Sequence, residues 1–247
     1  MNEAGQQFLE ESKYDQMGQS DQMKGMPPPP MELPYDTTGA VIDLPSPREF
    51  RPTDDNLKAV IEKRRTLRPP AREPLTMAEL SYLLWCTQGV QKVLPPPDAR
   101  TVRNVPSAGG KHTFETYLLV NRVEGLKPGV YRFLAIDHKL VEVDTSEGLS
   151  GKMVKGCLDQ QHVGTSAVMF IWVAVAQRTI WRYNTRGYRY MFLDAGHVCQ
   201  NLYLSAESIG CGACAIGAYS DNEVNRLLDL DGREQFVIYM GTVGRKR

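Results

Sequence analysis

Two clusters of cationic side chains are the groups in this sequence best suited to bind a phosphate. The first is Arg64-Arg65-Thr66-Leu67-Arg68, at the end of a predicted helix, and the second is Arg245-Lys246-Arg247, at the end of the chain. Arginine presents planar, paired donors that match a phosphate dianion, and a threonine hydroxyl adds a hydrogen bond. Cations at a helix end also commonly face water, where the helix dipole favours them. The clusters therefore predict either a phosphate site or two solvated surfaces.

Two short runs of small residues could bring the backbone close to a flat ligand. Pro106-Ser107-Ala108-Gly109-Gly110 lies directly before a predicted strand, and Ile216-Gly217-Ala218 follows the longest predicted helix. Small side chains leave backbone N–H groups, and here the Ser107 hydroxyl, able to contact a ligand. The alternative is that both runs are simple surface turns.

The five cysteines predict no disulfide framework and no metal site. Their number is odd and no export signal is visible, which favours reduced thiols in a cytoplasm. Cys211-Gly-Ala-Cys214 has CxxC spacing, but a thioredoxin-like motif would begin a helix after a strand. Here the motif follows a long helix among small residues, which favours apolar packing at a tight turn. His197 and Cys199 lack a second ligand pair at metal spacing.

Charge and proline content divide the chain into an arm, residues 1–53, and a body, residues 54–247. Residues 1–50 carry 3 basic and 9 acidic side chains, a net charge of −6, and residues 51–247 carry +6. Proline is equally uneven, since 15 of the 16 prolines lie at or before Pro106. Proline runs such as Pro27–Pro30 exclude helix and central strand. Residues 1–35 are predicted to be an extended arm that wraps a surface or stays mobile, followed by a loop over 36–55.

Apolar spacing and end signals place the helices of the body. One helix begins near Leu57 and runs into Lys63–Arg68, where Pro69-Pro70 stops it. A second follows Thr76, whose pairing with Glu79 three residues later predicts a capping box, and Gly89 closes it. The longest helix is predicted over 189–209, and Ser220 can cap a short one.

Runs of β-branched and apolar residues place the strands. They are predicted at 114–122, 129–134, 139–144, 166–177 and 235–243, with a loop over 95–110. The run over 166–177 is apolar throughout, which is typical of a strand buried on both faces. Helices and strands in this arrangement predict an α+β body in which helices cover an antiparallel or mixed sheet.

Composition argues against two classes of protein. The longest unbroken apolar run, Ala167–Ala176, is ten residues long, and a helix needs about 20 to span a bilayer. The first residues lack the basic start and apolar stretch of a signal peptide. A formal net charge of zero, with no aromatic-basic reading motif, argues against nucleic-acid binding.

In their order and spacing these motifs resemble the flavin-dependent nitroreductase superfamily. The resemblance rests on Arg-Arg-Thr-x-Arg in the first body helix, Pro-Ser-Ala-Gly before a strand and Ala-Ile-Gly-Ala late in the chain. The stretches Arg182–Tyr190, Asp194–Leu202 and Gly129–Phe133 are similar to the branch that contains the SagB-type azoline dehydrogenases. The resemblance covers about residues 56–247.

The resemblance implies an α+β homodimer with two FMN sites at its interface. The positions that match the phosphate and ribityl contacts are Arg64, Arg65, Thr66 and Arg68, with Arg245 or Arg247 approaching from the chain end. The loop that touches the isoalloxazine, contributed by the partner subunit, matches Pro106, Ser107, Ala108 and Gly109. Backbone N–H groups of Ile216 and Gly217 match those that face flavin N5 and O4. In such a site the flavin carries the redox chemistry and the protein supplies orientation and charge.

The function that this implies is an FMN-dependent oxidoreductase that transfers hydride through flavin N5 in a cytoplasm. The substrate is an azoline-bearing peptide, a nitro or quinone compound, or another small reducible molecule, with NAD(P)H as a candidate electron donor. The alternative is a non-catalytic flavin-binding or scaffolding subunit of a peptide-modification complex, which docks through the acidic arm.

One departure from the branch concerns proton transfer. The azoline dehydrogenases carry a Lys-Tyr pair where this chain has Arg182-Tyr183, and an arginine stays protonated and cannot serve as a base. Tyr183 can still donate or accept a proton with help, and it is the candidate catalytic residue. His197 beside Asp194 is either an acid–base group or a structural one, and the same choice applies to His112 and Tyr219.

Overall fold

The computed structural model describes residues 3–36, 38–96 and 99–247. Its strands are β1 (Val41–Asp43), β2 (Val90–Leu94), β3 (Arg100–Arg103), β4 (Phe114–Val120), β5 (Gly129–Leu134), β6 (Lys139–Asp144), β7 (Val168–Val175), β8 (Cys211–Ile216) and β9 (Gln235–Arg245). Seven of them form one sheet in the order β1-β6-β5-β4-β7-β9-β8, and every pairing within it is antiparallel. Strands β2 and β3 form a separate antiparallel hairpin.

Helices cover both faces of this sheet. They are α1 (Glu3–Glu11), α2 (Leu57–Lys63), α3 (Met77–Gln88), α4 (Leu149–Gly156), α5 (His162–Thr165), α6 (Ala176–Tyr183), α7 (Arg186–Ser208) and α8 (Asp221–Leu227). Apolar residues of α3 and α7 belong to one core cluster, and those of α4 and α8 to a second. The predicted α+β fold, with a sheet flanked by helices, is confirmed, and the sheet is antiparallel.

Strand β7 shows why the central apolar run has no polar alternation. Val168, Phe170, Trp172 and Ala174 enter the first core cluster, while Met169, Ile171 and Val173 enter the second. Successive side chains of a strand point to opposite faces. Because both faces are covered by helices, every position of β7 is buried and every position is apolar.

Several predicted elements are confirmed. The strands expected at 114–122, 129–134 and 139–144 correspond to β4, β5 and β6, and the longest helix is α7. Thr76 and Glu79 make the reciprocal hydrogen bonds of a capping box at the start of α3, which Gly89 ends. Ser220 is the N-cap residue of α8, although its side chain makes no capping hydrogen bond.

The prediction that the first body helix runs into Arg68 is wrong. Helix α2 ends at Lys63, and the next residues are extended. Thr66 forms a parallel bridge with Ala213, and the N–H of Leu67 donates to the Ala213 carbonyl at 2.9 Å. The basic segment thus lies along the free edge of β8, where sheet hydrogen bonds replace helical ones.

The expected tight turn at Cys211-Gly-Ala-Cys214 is also wrong, because these residues form β8. The expected strand over 166–177 ends at Val175, and the chain passes directly into α6. The loops expected over 36–55 and 95–110 contain β1 and β3. Strand β8 consists mostly of small residues, which carry little local signal for a strand. The change from β7 to α6 contains no glycine or proline that would mark it in the sequence.

The arm wraps the body rather than extending from it, and its first part is helical rather than extended. Helix α1 begins it, and β1 ends it by pairing with β6 at the sheet edge. Between them the Gln22 N–H donates to the Trp181 carbonyl at 2.9 Å, and the Trp181 indole donates to the Met26 carbonyl at 3.0 Å. Of the two predicted arrangements, the structure has the wrapped one.

Candidate functional site

The two basic clusters meet in one surface cavity. Its volume is about 460 Å³, and its lining residues come from the segment after α2 and from the chain end: Lys63, Arg65, Thr66, Leu67, Arg68, Pro69, Lys246 and Arg247. Arg65, Thr66 and Arg68 are exposed. The two clusters are far apart in sequence, and β8 brings them together because the Arg64–Arg68 segment lies along one of its edges and β9 along the other.

Tyr203 of α7 joins this basic segment to the second small-residue run. Its hydroxyl lies 3.3 Å from the Thr66 hydroxyl and accepts a hydrogen bond from the Ala215 N–H at 2.8 Å. The Arg64 guanidinium stacks over the Tyr203 ring at 5.3 Å. Ala215 is followed by Ile216, which ends β8, and by Gly217, which is exposed. The cationic cavity and the Ile216-Gly217 backbone are therefore held by one side chain.

Arg245 has a different environment from Arg247. Its guanidinium forms a two-pronged ion pair with Glu79, at 2.7 Å to each carboxylate oxygen. Burial alone would lower the pKa of Arg245, but the hydrogen bond that it donates to Glu79, with a contribution from Cys211, outweighs burial and raises that pKa. Of the two chain-end arginines predicted to approach a phosphate, Arg247 lines the cavity and Arg245 ties β9 to α3.

The Pro106–Gly110 loop is organised by Asp194 of α7. The Ser107 hydroxyl donates to Asp194 at 2.6 Å, and the Ala108 N–H donates to the same carboxylate at 3.2 Å. The His112 N–H in turn donates to the Ser107 oxygen at 2.9 Å. Burial raises the pKa of Asp194, while these hydrogen bonds oppose the rise. The Ser107 hydroxyl is thus committed to shaping the loop.

Tyr183 lies directly against this loop. Gly109 has a φ of 60°, and a Cβ atom added there would lie 2.6 Å from the Tyr183 hydroxyl oxygen. Only glycine permits both that backbone conformation and that approach. Burial raises the pKa of Tyr183, with Arg182 opposing it, so the hydroxyl stays protonated at neutral pH. The structure therefore brings the candidate catalytic residue to the candidate ring-binding loop.

The predicted site residues form two groups rather than one within a single chain. Tyr203 holds the first group, around the basic cavity, and Asp194 holds the second, around the Pro106–Gly110 loop. These two residues are nine positions apart on α7, which is about 13 Å at 1.5 Å per residue. Each chain thus presents two half-sites on the same helix.

The remaining candidates have different environments. His197 is exposed on α7. Burial raises the pKa of Cys211 to about 11 and also raises that of Cys214, which keeps both as unreactive thiols. The Tyr219 hydroxyl donates to the Val237 carbonyl at 2.9 Å. In the part of the chain that the structure describes, no group of three or more His, Cys, Asp or Glu side chains is placed to hold a metal ion.

The residues present fit a flavin mononucleotide. A dianionic phosphate requires clustered cations and a hydroxyl donor, and the cavity has both. A planar ring system requires a close backbone approach without side chains, and Gly217 meets this, since a Cβ atom added there would touch only Tyr239, at 3.8 Å. Tyr203 and Asp194 were not singled out from the sequence. Their signal, polar groups on the buried side of an otherwise apolar helix face, is visible only once the register of α7 is known.

The antiparallel sheet flanked by helices, with the cationic cavity and the small-residue loops, is the architecture of an α+β oxidoreductase, and comparison with known proteins identifies the family. The nitroreductase family model matches residues 61–245, and the chain belongs to that family. It is 34% identical over 205 residues to the nitroreductase-family protein MJ1384 of Methanocaldococcus jannaschii. The alignment covers 83% of this chain and 96% of that relative. It is 28% identical over 144 residues to the microcin B17-processing protein McbC of Escherichia coli, 56% of this chain and 52% of McbC. This peptide-processing relative supports the resemblance to the SagB-type branch.

Solved structures agree on the fold. A nitroreductase-family structure from Anabaena variabilis superposes with a TM-score of 0.70 at 27% identity, over 85% of this chain and 42% of that one. The Escherichia coli microcin synthetase McbBCD complex with truncated pro-MccB17 contains a chain that superposes with a TM-score of 0.61 at 21% identity, over 87% and 78%. The NADPH:FMN oxidoreductase of Vibrio harveyi, complexed with NAD⁺, superposes with a TM-score of 0.55 at 16% identity. The superposition covers 78% of this chain and 69% of that one. In the described residues, no helix is both long and apolar enough to cross a membrane.

Proposed function

We propose that this nitroreductase-family protein is an FMN-dependent oxidoreductase whose phosphate site is the cavity shared by Arg65, Arg68 and Arg247. The observation that carries the proposal is the meeting of two sequence-distant basic clusters in one cavity, which Tyr203 connects to the Ile216-Gly217 backbone. If both clusters were only solvated surfaces, the segment after α2 and the chain end would not need to lie side by side. Binding a phosphate dianion requires such convergence, because its oxygens accept hydrogen bonds from several directions.

The chain's own residues then have separate tasks. Arg65, Arg68 and Thr66 bind the phosphate, and the backbone of Ile216-Gly217 faces the ring. FMN, when bound, supplies hydride transfer. Tyr183 holds a proton on its hydroxyl oxygen next to Gly109 and donates it to the substrate, since its raised pKa keeps it protonated at neutral pH.

The two half-sites support a homodimer in which each FMN contacts both copies. Phe192 and Leu193 of α7 are 60% and 59% exposed, although they are large apolar side chains in the middle of a long helix. They directly precede Asp194, which holds the Pro106–Gly110 loop. Packing α7 against its copy would bury this apolar face and bring the loop of one copy towards the basic cavity of the other.

The electron donor and the substrate class are proposed from two of the similar proteins. A nicotinamide donor is proposed from the Vibrio harveyi fold neighbour, and a peptide substrate from McbC, which is named as a processing protein. A second candidate is a flavin-binding subunit without turnover, favoured by the fold likeness to a chain of the McbBCD complex. Steady oxidation of NADH or NADPH by the isolated protein would exclude that candidate.

The test of the phosphate site is a pair of flavin titrations. Fluorescence titration of the Arg65→Gln, Arg247→Gln double variant should show FMN affinity reduced at least about 10-fold, because charge-assisted hydrogen bonds contribute about 1.5–3 kcal/mol each. Riboflavin, which lacks the phosphate, should bind the double variant and the wild type equally.

The matched control is Lys155→Gln, which removes an exposed cation on α4, on the opposite face of the sheet from α7. It should bind FMN as the wild type does. Equal FMN affinity in the double variant and the wild type would remove this cavity from the flavin site.

A further inference from the structure

A second, smaller cationic cleft lies where the arm crosses the body. Its volume is about 20 Å³, and we call it the arm cleft; it is lined by the arm residues Pro28–Met31 and by Ala99, Arg100, Thr101, Gly110, Lys111 and Arg178 of the body. It shares no lining residue with the cavity assigned to the FMN phosphate. A volume of this size admits about one water-sized group, such as one oxygen of a carboxylate or phosphate.

Arg178 gives the arm cleft a buried donor. Its side chain is only 2% exposed. Its Nε donates to the Pro30 carbonyl at 2.8 Å and its Nη2 to Glu115. Among the residues that the structure describes, none accepts a hydrogen bond from its Nη1. A buried donor without an acceptor is destabilising, so an acceptor in the cleft would be bound favourably.

The charges beneath the arm cleft are unbalanced. All three arginines that are buried in the described part of the chain, Arg103, Arg132 and Arg178, lie near one buried carboxylate, Glu115. Burial, together with Arg178, lowers the pKa of Arg103 to about 10, although Glu115 and the half-buried Glu32 of the arm oppose the shift. Burial, with Arg103, also lowers the pKa of His112 to about 3, so that the imidazole stays neutral. Cations outnumber anions here, which makes the cleft attractive to an anion.

Further cations connect the arm cleft to the ring-binding loop. Burial lowers the pKa of Lys111, and the charged groups that lower it further are Arg182 and Arg100. A Cβ atom added at Gly110 would lie 3.5 Å from the Arg100 Cδ, and one added at Gly109 would lie 3.4 Å from the Arg182 Cδ. The cleft therefore opens within one residue of the glycine that contacts Tyr183.

We infer that the arm cleft binds an oxyanion, the carboxylate or phosphate group of a substrate whose reducible part then lies beside Gly109 and Tyr183. Arg178 and Lys111 supply the donors, and the arm supplies the outer wall. The role in turnover rests on the proposed flavin function, whereas the binding of an anion does not. The anion has two possible sources, a carboxylate-bearing acceptor or the 2′-phosphate of a nicotinamide donor.

The first measurement is calorimetric titration of inorganic phosphate into the FMN-saturated protein, whose other cationic cavity is then filled. Lys111→Met keeps the aliphatic part of a side chain whose Nζ lies 4.3 Å from the Trp181 ring centroid, and it should weaken phosphate binding at least about 10-fold. Lys155→Gln should leave it unchanged. Equal binding in all three proteins would overturn the inference.

If the protein takes up no FMN, the same titration in the Arg65→Gln, Arg247→Gln background separates the two sites. Phosphate binding that persists there and is lost on adding Lys111→Met supports the arm cleft even though the flavin proposal has failed. Phosphate binding that is already lost in this background assigns the anion to the other cavity and overturns the inference.

The second measurement identifies the source of the anion through KM values of the holoprotein. NADPH is compared with NADH, and 4-nitrobenzoate with the neutral 4-nitrobenzyl alcohol. Lys111→Met should raise KM several-fold either for NADPH, which carries the additional 2′-phosphate, or for 4-nitrobenzoate, which carries the carboxylate, and this result assigns the cleft to the donor phosphate or to the acceptor carboxylate. Equal effects within both pairs would overturn the substrate role.

Discussion

Asp194 and Tyr203 each hold one of the candidate site segments in place. Asp194 accepts from the N–H of Ala108 within the first small-residue run, and Tyr203 accepts from the N–H of Ala215, directly before the second. Small residues supply close approach but no rigidity, so a fixed polar side chain must define where the run lies. The α7 residues therefore set the spacing between the two half-sites.

His112, beside the Pro106–Gly110 loop, should make stability depend on pH. Its pKa is lowered to about 3 by burial and by Arg103, against about 6.5 in an unfolded chain. Between these values the unfolded chain binds the extra proton, so the free energy of unfolding falls as the pH falls. This position alone should remove about 2 kcal/mol between pH 7 and pH 5, as measured by urea denaturation.

The variant His112→Asn should lose that part of the pH dependence. Asparagine tolerates the positive φ of 46° at this position better than most residues. His138, whose pKa burial lowers to about 4, contributes a similar slope that remains. The control Lys155→Gln removes an exposed cation on α4, away from this loop, and should keep the wild-type slope. An unchanged slope in His112→Asn would mean that its ring is not buried in the neutral form.

At the residue scale, the sequence predicts the types of the phosphate-binding groups but not all of their partners. Arg247 and Arg245 are equivalent by composition and position. Glu79, 166 positions away, pairs with Arg245 and leaves Arg247 on the cavity. Such a choice depends on how β9 lies against α3, and no local pattern encodes it. For the same reason Tyr203 and Asp194 could not be chosen among the polar residues of α7.

At the scale of elements, the sequence predicts those whose pattern is local. The capping box at Thr76 and the periodicity of α7 depend on near neighbours, and both are found. Strand β8 depends on β9 and on the Arg64–Arg68 segment for its hydrogen bonds. Its Cys-Gly-Ala-Cys-Ala composition has low intrinsic strand preference. The end of α2 at Lys63 has the same cause, because pairing with β8 competes with continued helix.

Helix α7 should also form the dimer interface. Phe192→Glu combined with Leu193→Lys leaves the net charge unchanged and removes two large apolar groups per copy, each contributing about 1.5–3 kcal/mol when fully buried. Light scattering after size exclusion should show a monomer for this variant and a dimer for the wild type. FMN affinity should fall with it, because each flavin would lose the half-site of the other copy.

The control for the interface is Leu158→Glu, since Leu158 is 59% exposed after α4, on the other face of the sheet. It should remain a dimer and bind FMN as the wild type does. A dimer that survives the α7 double variant would place the interface elsewhere.

At the scale of the whole molecule, the arm is held on the body mainly by hydrogen bonds to its backbone carbonyls and less by ion pairs between acidic arm residues and basic body residues. Cations of the body mostly donate to carbonyls of the arm: Arg132 to Leu33 and Pro34, Arg178 to Pro30, and Arg186 to Ser12. Pairs such as Lys13–Glu10 and Lys24–Asp21 lie within the arm itself. The arm therefore supplies carbonyl acceptors to the buried Arg132 and Arg178, and it leaves the cavity assigned to the FMN phosphate uncovered.

Truncation of the arm should consequently cost stability in two unequal steps. Removing residues 1–19 deletes α1 and contacts to partly exposed arginines such as Arg186, and should cost about 1 kcal/mol. Removing residues 1–35 also strips the carbonyl acceptors from Arg132 and Arg178 and the Leu33 N–H from Glu115. The ion pairs of both arginines with Glu115 remain, but the loss of several hydrogen bonds to buried charged groups should cost at least about 3 kcal/mol, seen as a lower free energy of unfolding in urea or a failure to fold.

The shorter truncation serves as the matched control, because it leaves the wall of the arm cleft in place. Both truncated proteins that fold should bind FMN with wild-type affinity, since the arm contributes no residue to the cavity lined by Arg65 and Arg247. The arm and the flavin site would then be energetically separate although they share one chain. Equal stability of the wild type and both truncations would instead show that water replaces the arm carbonyls without cost, and that the buried arginines do not need the arm.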